Sequence, residues 1–251
     1  ATGILGKLSP YHERSSPRHE LDDGVYTSTD YPASEQIFLH NENSYQLTWP
    51  SRLAFCCLMP PQAGGETPTA DLRLVRETIP SEILDEFRRR GWMLIRNYRE
   101  GLGLSWHEAF GTQDRAAVDE YCKRNSLITE WLPEGNLRTR TVGRQAFHRH
   151  PMLDMETWFN HATFWHISTL PSRIREALTS MYAPSELPAS TYYGDGSPIS
   201  DDVVVKLRES YMSARRQYTW SQGDVLLVDN MLAAHGRNAF KGDRRIVVAM
   251  S

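Results

Sequence analysis

Short apolar runs near both ends of the chain bracket a middle section with helical patterns. Residues 53–59 lie between Pro50 and Pro60, and their length and flanking prolines predict a strand buried on both faces. Residues 245–250, with the letters RIVVAM, predict a last strand. Strands at both ends with helices between them do not follow the alternation of a parallel βαβ sheet. The sequence therefore predicts a mainly β fold with helical insertions and a sandwich or jelly-roll core.

Composition and charge exclude several kinds of partner. With 28 Lys and Arg against 31 Asp and Glu, the net charge is −3, which gives no electrostatic case for binding nucleic acid or an anionic membrane surface. The longest apolar run, residues 53–59, is far shorter than a membrane span. The three cysteines include the adjacent Cys56 and Cys57, which argues against a disulfide framework. We therefore expect a protein of a reducing, cytoplasmic compartment.

The length of 251 residues fits one large β-type domain or two small domains. We expect a single domain over residues 1–251, with a helical insertion at about 72–135. Ser105 and Glu108 in that insertion fit a helix capping box. The chain begins with Ala1, which is compatible with removal of an initiator Met or with a fragment of a longer protein. The sequence does not define an oligomeric state.

His40 and Glu42 form an H-x-E pair on a predicted strand that begins at Ile37. Residues i and i+2 of a strand point to the same face, so the imidazole and the carboxylate could reach one metal ion. With nine His and 31 acidic residues in the chain, about one such pair is expected by chance. Taken alone, the pair favours an ordinary structural role.

His235 and Arg245 form a second group of candidate residues near the C-terminus. His235 follows the apolar run VLLVD after a short loop, and Arg245 opens the last predicted strand. A cation at the end of a buried strand carries a desolvation cost unless an anion meets it. A dicarboxylate ligand would supply that anion, and an ion pair with Asp224 or Asp243 is the alternative.

Thr67 follows the pair Gly64-Gly65, and its hydroxyl could bond the same ligand or belong to an ordinary turn.

The order H-x-E, G-G-x-T, a distant His and then R-R resembles the taurine-dioxygenase-like (TauD/TfdA) family of iron(II)/2-oxoglutarate oxygenases. The segments HNENSYQLTWP, GGETPTADLR, RNY, WFN and GDVLLVDNMLAAHGR are more similar to the syringomycin-type aspartyl hydroxylases of peptide natural-product pathways. The similarity runs from about Tyr11 to the C-terminus. It implies a double-stranded β-helix (jelly-roll) core with a metal at one end.

The resemblance implies roles for five residues. His40, Glu42 and His235 match a facial triad for iron(II), which leaves three metal positions open for 2-oxoglutarate and O2. Arg245 and Thr67 match the residues that bind the distal carboxylate of 2-oxoglutarate, and a planar guanidinium suits that task. Related halogenases have a small residue in place of Glu42, so its carboxylate favours hydroxylation. Family members usually carry a further N-terminal segment, which implies that this chain lacks one or belongs to a short branch.

Candidate substrate contacts come from the same resemblance and from proximity to the H-x-E pair. The alternative for each is a structural role in the core or in a solvated loop. Two of them lie on a strand predicted at residues 157–164. The candidates are Gln36, Tyr45, Phe159, Asn160, Arg14 and Arg18.

The resemblance implies an oxygenase that hydroxylates an unactivated C–H bond in natural-product biosynthesis. Its substrate would be an amino acid, an aminoacyl group on a carrier protein or a small peptide-like molecule, and succinate and CO2 would be released. Desaturation or cyclisation by the same cofactors is an alternative. So is a non-catalytic jelly-roll binding protein that retains the metal site. A zinc hydrolase is a third alternative, but it would have no use for Arg245 and Thr67.

Overall fold

The computed structural model of the chain describes residues 2–8, 13, 19–22, 24–28 and 31–251. Its α-helices are α1 (Thr2–Leu5), α2 (Leu72–Thr78), α3 (Ser81–Arg90), α4 (Trp106–Phe110), α5 (Arg115–Arg124), α6 (Ser172–Met181) and α7 (Asp201–Ser213). Short 3-10 turns span Pro133–Gly135, Ile167–Thr169 and Pro184–Glu186. The strands are β1 (Glu20–Asp22), β2 (Val25–Thr27), β3 (Ile37–His40), β4 (Arg52–Met59), β5 (Ala63–Gly64), β6 (Thr69–Asp71), β7 (Trp92–Tyr98), β8 (Leu127–Trp131), β9 (Leu137–Thr141), β10 (Phe147–Arg149), β11 (Glu156–Trp158), β12 (Ala189–Tyr193), β13 (Arg215–Arg216), β14 (Val225–Asp229), β15 (Ala233–Arg237), β16 (Phe240–Lys241) and β17 (Arg245–Met250).

Two antiparallel sheets face each other across the candidate site. The first has the strand order β1-β2-β17-β4-β14, and the second has the order β13-β6-β15-β3. Phe55 of β4 and His235 of β15 have ring centroids 5.2 Å apart, so the inner faces of the two sheets are in contact there. A third antiparallel sheet has the order β12-β7-β9-β8, and β10-β11 and β16-β5 form separate pairs. The prediction of a mainly β fold with helices is confirmed.

The strand β4 shows how the first sheet forms. Its buried residues alternate, with Leu53, Phe55 and Cys57 facing the core, while Leu58 is 40% exposed and Met59 48% exposed. The prediction that residues 53–59 are buried on both faces is therefore wrong. An antiparallel sheet covers one face with the core and leaves the other partly open to solvent.

The predicted helical insertion at about 72–135 contains α2 to α5, but it also contains the strands β7 and β8. Local capping signals set its helix ends, and Ser105 and Glu108 form the predicted capping box at the start of α4. A buried cluster that includes Tyr98, Trp106 and Leu137 joins these helices to the third sheet. Within the described residues, no helix has the length and apolar character needed to cross a membrane.

Candidate metal centre and substrate pocket

Strand pairing brings the two candidate histidines together. His40, the last residue of β3, lies directly opposite His235 of β15 in the antiparallel register. Directly opposed residues of neighbouring strands point to the same face of the sheet and lie close enough to interact. The two imidazole centroids are 4.6 Å apart. The sheet therefore places side by side two residues that are far apart in the sequence.

Gly236 allows this close approach of β15 to β3. A Cβ atom at this position would lie 2.6 Å from the carbonyl oxygen of Ile37, a separation that real Cβ atoms do not show. The strand register also shifts between His235 and Arg237. A residue without a side chain is therefore needed directly after His235.

Glu42 reaches the site from a turn. The strand β3 ends at His40, so the prediction that both members of the H-x-E pair lie on a strand is wrong. The fully buried Asn230 holds the turn: its Oδ1 accepts a hydrogen bond from the Glu42 backbone N–H at 2.8 Å, and its Nδ2 donates to the Glu42 carbonyl at 2.9 Å. The same Nδ2 donates to the carbonyl of Pro50 at 2.7 Å. Asn230 thus fixes the backbone that carries the carboxylate.

The side chains of His40, Glu42 and His235 form a compact cluster. One ligand atom from each lies within 4.8 Å of the others. Glu42 is 3% exposed and His235 is 4% exposed. Two imidazoles and one carboxylate are the donor set of the facial triads that bind iron(II).

The hydrogen bonds around the cluster fit a metal as well. Nδ1 of His40 donates to the carbonyl of Phe38 at 2.8 Å. Because a carbonyl can only accept, Nδ1 carries the proton and the lone pair of the ring lies on Nε2, which is the form that binds a metal. Nδ1 of His235 is buried and has no hydrogen-bond partner in the part of the chain that the structure describes. The residues present therefore fit an iron(II) ion.

Arg244, and not Arg245, lies beside Thr67 and the two histidines. Its guanidinium donates to the Thr67 hydroxyl at 3.4 Å, to the Ser28 hydroxyl at 3.2 Å and to a backbone carbonyl at 2.9 Å. It lines one pocket together with Thr67, His40 and His235. Arg245 is exposed at the start of β17. The prediction that Arg245 lies in this pocket is therefore corrected: Arg244 lies there instead. Arg244 lies directly before β17, and Val248 of that strand also lines the pocket.

The electrostatics around Arg244 favour an anion. Burial, and then the nearby Arg237, lower the pKa of Arg244 to about 10. Among the described residues, no carboxylate forms an ion pair with Arg244. Thr67 also accepts a hydrogen bond from Trp220 Nε1 at 3.2 Å, so its own hydroxyl proton can be donated to a ligand. Partly buried cations near each other are stabilised by a bound anion.

A larger pocket of about 400 Å³ is lined by His40 and Glu42 of the metal cluster. The structure places two of the candidate substrate residues, Gln36 and Tyr45, in its lining. The Tyr45 hydroxyl donates to the backbone carbonyl of Glu13 at 2.8 Å, which ties Glu13 to the pocket wall. Five further lining residues were not among the predicted substrate contacts: His161, Phe164, Trp165, Leu170 and Arg208.

Phe159 and Asn160 do not line this pocket, which corrects their predicted role. Phe159 is fully buried and packs against Trp49, with ring centroids 4.9 Å apart. Asn160 donates to the carbonyl of Ala146 at 3.1 Å and accepts from a backbone N–H at 3.1 Å. The strand predicted at 157–164 ends at Trp158, and the chain then turns so that later residues reach the pocket. Arg14 and Arg18 lie outside the described residues.

His161 is a pocket residue whose spacing from other histidines gave no signal in the sequence. Its Nδ1 is 2.9 Å from the hydroxyl of Ser44. Burial, and then the neighbouring His40, hold the pKa of His161 well below its usual range. His161 therefore presents a neutral ring to the pocket near neutral pH.

Comparison with known proteins gives the family. The family model described as "Taurine catabolism dioxygenase TauD, TfdA family" matches residues 3–250. The chain belongs to the TauD/TfdA dioxygenase family. This membership confirms the predicted family, its enzyme class of iron(II)- and 2-oxoglutarate-dependent oxygenases, and the predicted cofactors iron(II), 2-oxoglutarate and O2.

Two relatives with similar sequences support this membership. The dapdiamide synthesis protein DdaC of Enterobacter agglomerans is 41% identical over 240 residues, which cover 96% of this chain and 73% of that protein. A clavaminate synthase-like protein of Arabidopsis thaliana is 25% identical over 252 residues, which cover 96% of this chain and 72% of that protein. The chain therefore spans about three-quarters of the length of these relatives.

Solved structures share the fold of this TauD/TfdA family member. An asparagine oxygenase, solved with Fe(II), a hydroxyasparagine and succinate, matches with a TM-score of 0.52 at 12% identity. The match covers 90% of this chain and 56% of that one, so the chain spans just over half of that protein. A putative 2-oxoglutarate-dependent taurine dioxygenase from Burkholderia xenovorans matches with a TM-score of 0.51 at 14% identity, over 99% of this chain and 71% of that one.

Proposed function

We propose that the protein hydroxylates an unactivated C–H bond of an amino acid or a small peptide-like molecule in natural-product biosynthesis. One observation carries the proposal: the cluster of His40, Glu42 and His235 lies where an anion-binding pocket and a larger pocket meet. Both pockets are lined by His40. A cosubstrate in the first pocket and a substrate in the second would therefore both reach the metal.

Each residue has a distinct task in this proposal. His40, Glu42 and His235 hold iron(II), while Arg244 and Thr67 bind the distal carboxylate of 2-oxoglutarate. When bound, iron(II) with 2-oxoglutarate and O2 supplies the oxidising power that converts C–H to C–OH, with release of succinate and CO2. Asn230 keeps Glu42 in place, and the aromatic wall of the larger pocket positions the substrate and excludes water.

The size of the pocket and one relative support the substrate class. A pocket of about 400 Å³ suits a small molecule. DdaC, at 41% identity, is named for dapdiamide synthesis, which supports a role in natural-product biosynthesis. We further infer that the two facing antiparallel sheets form a double-stranded β-helix core within a single domain, with the metal cluster held between them.

The test is 2-oxoglutarate turnover under O2. Protein, iron(II) and 2-oxoglutarate are incubated with individual L-amino acids, and succinate is measured by NMR. We expect succinate from wild type, none above background from His235→Ala, and normal turnover from His107→Ala, whose ring stacks on Trp106. Failure of wild-type protein to form succinate, together with the absence of the visible band of the iron–2-oxoglutarate chelate, would support a binding protein instead. A product heavier by one oxygen indicates hydroxylation, and one lighter by two hydrogens indicates desaturation or cyclisation.

A further inference from the structure

Arg208 is a half-buried arginine in the wall of the larger pocket. It comes from α7, a helix that begins at Asp201 and is capped by the side chain of Ser200. The same pocket is lined by His40 and Glu42 of the metal cluster. A single small molecule of suitable length can therefore contact both the cluster and the guanidinium.

In the part of the chain that the structure describes, no carboxylate pairs with Arg208. Its guanidinium lies over the ring of Phe38, 3.7 Å from the centroid, a cation–π contact that shields one face from water. Burial lowers the pKa of Arg208. By comparison, the surface residue Arg88 has a carboxylate partner, and its hydrogen bond to Glu156 raises its pKa. A partly desolvated cation without a counter-ion destabilises the protein unless an anionic ligand meets it.

The pocket for 2-oxoglutarate already has its own cation. Arg244 lines that pocket with Thr67, and the two pockets have Ile37 and His40 in common. Each of the two pockets that His40 lines therefore has a guanidinium in its wall. This arrangement suits two anionic ligands, one for Arg244 and a different one for Arg208.

We propose that Arg208 binds a free carboxylate of the substrate, so that the substrate is a small carboxylic acid such as a free amino acid. A group held as a thioester on a carrier protein has lost its α-carboxylate and would meet Arg208 with a charge only through an acidic side chain. Arg208 also borders an adjoining surface pocket that contains the exposed residues Val205 and Met212. The carboxylate would thus lie toward the surface, and the reacting carbon would lie toward the metal. The inference rests on the proposed function.

The experiment compares acids with their neutral esters. Wild-type protein loaded anaerobically with iron(II) and 2-oxoglutarate is titrated by calorimetry with each of the common L-amino acids and with the methyl ester of each. The same titrations are run on Arg208→Met, Arg208→Lys and Lys206→Met. Lys206→Met removes an exposed positive charge from the same helix and serves as the matched control. The visible band of the iron–2-oxoglutarate chelate is recorded for every variant.

We expect at least one free acid to bind wild type, with its methyl ester bound about tenfold or more weakly. Arg208→Met should lose about tenfold or more in affinity for the acid but little for the ester, and Arg208→Lys should fall between. Lys206→Met should match wild type, and the chelate band should persist in all variants.

Three results would overturn the inference while the chelate band remains. They are equal binding of acid and ester, unchanged acid binding by Arg208→Met, and the absence of binding by every free amino acid. A chelate band that is absent from wild type would overturn the proposed function itself, and this inference with it.

Discussion

Asn230 shows how a single residue far from the H-x-E pair controls the metal cluster. Its amide forms hydrogen bonds with both the N–H and the carbonyl of Glu42 and also with the carbonyl of Pro50. A second amide, that of Asn41, donates to the carbonyl of Asn230 at 2.6 Å. The turn that carries Glu42 is therefore fixed from two sides, and the carboxylate does not depend on strand geometry for its direction.

Replacement of Asn230 should weaken metal binding. In Asn230→Ala, the backbone groups of Glu42 and Pro50 lose their partner, and the carboxylate loses its fixed position. We expect iron(II) affinity to fall by about 10- to 100-fold, the range typical for residues that orient metal ligands. Anaerobic titration with iron(II) measures the effect. The control is Asn136→Ala, whose side-chain amide donates to the carbonyl of Pro133. An unchanged iron(II) affinity in folded Asn230→Ala would contradict this role.

Arg244 and Arg245 show that a sequence motif does not determine which of two neighbouring side chains faces a pocket. The pattern R-R located the cation to within one residue, but it does not show which of the two arginines faces the pocket. Arg244, directly before β17, lines the pocket, whereas Arg245 is exposed. The sequence also gave no sign of Arg208, because only the packing of α7 determines which of its residues meets the pocket.

A helix start that carries a local capping signal was predicted well from the sequence. The capping box predicted at Ser105 sets the start of α4, because it depends on residues within one turn. The strand predicted at 157–164 failed beyond Trp158, because apolar and aromatic residues fit a buried turn as well as a strand. That error placed Phe159 and Asn160 in the substrate pocket, where neither residue lies.

The close contact of β3 and β15 predicts the effect of Gly236→Ala. The added Cβ would meet the carbonyl of Ile37 at 2.6 Å, so the strands must separate next to His235. We expect lower thermal stability together with weaker iron(II) binding. Gly3→Ala is the matched control, because a Cβ at Gly3 has nothing within 4 Å and Ala favours a helix. Wild-type iron(II) affinity in Gly236→Ala would show that the strand spacing does not hold the cluster.

Asp195 links β12 to α3 and makes stability depend on pH. Hydrogen bonds from the backbone and the hydroxyl of Ser197, together with Arg90, lower the pKa of Asp195 to about 2. A carboxyl whose pKa is lower in the folded state stabilises the fold above its unfolded pKa, near 4, and loses that contribution as the pH falls toward 2. Asp195→Asn should therefore lower the free energy of unfolding at pH 7, with a deficit that narrows below about pH 4.

Urea denaturation of wild type and Asp195→Asn from pH 7 to pH 3 measures this deficit. Asp85→Asn removes an exposed acid of α3 and controls for the change in net charge. A difference between wild type and Asp195→Asn that stays constant over the whole pH range would contradict the assigned pKa.

At the scale of the whole molecule, the site exists only where the two facing sheets meet. β3 and β15 supply the histidines, β4 supplies Phe55 behind His235, and the segment before β17 supplies Arg244. The order of motifs singled out His40, Glu42 and His235 in the sequence, and the fold brings these three side chains together. The pocket walls were harder to predict, since they combine loops and helices whose positions depend on long-range packing.

The central claim is that this cluster and Arg244 bind iron(II) and 2-oxoglutarate, and one anaerobic titration tests it. The observable is the visible charge-transfer band of the chelate, followed as 2-oxoglutarate is added to protein with iron(II). We predict a band in wild type and none in His235→Ala. Arg244→Ala should need about 30-fold or more 2-oxoglutarate, as expected for loss of a buried charged contact, and Arg245→Ala should match wild type. A folded, iron-binding wild type without the band, or a band sensitive to Arg245→Ala and not to Arg244→Ala, would contradict the account.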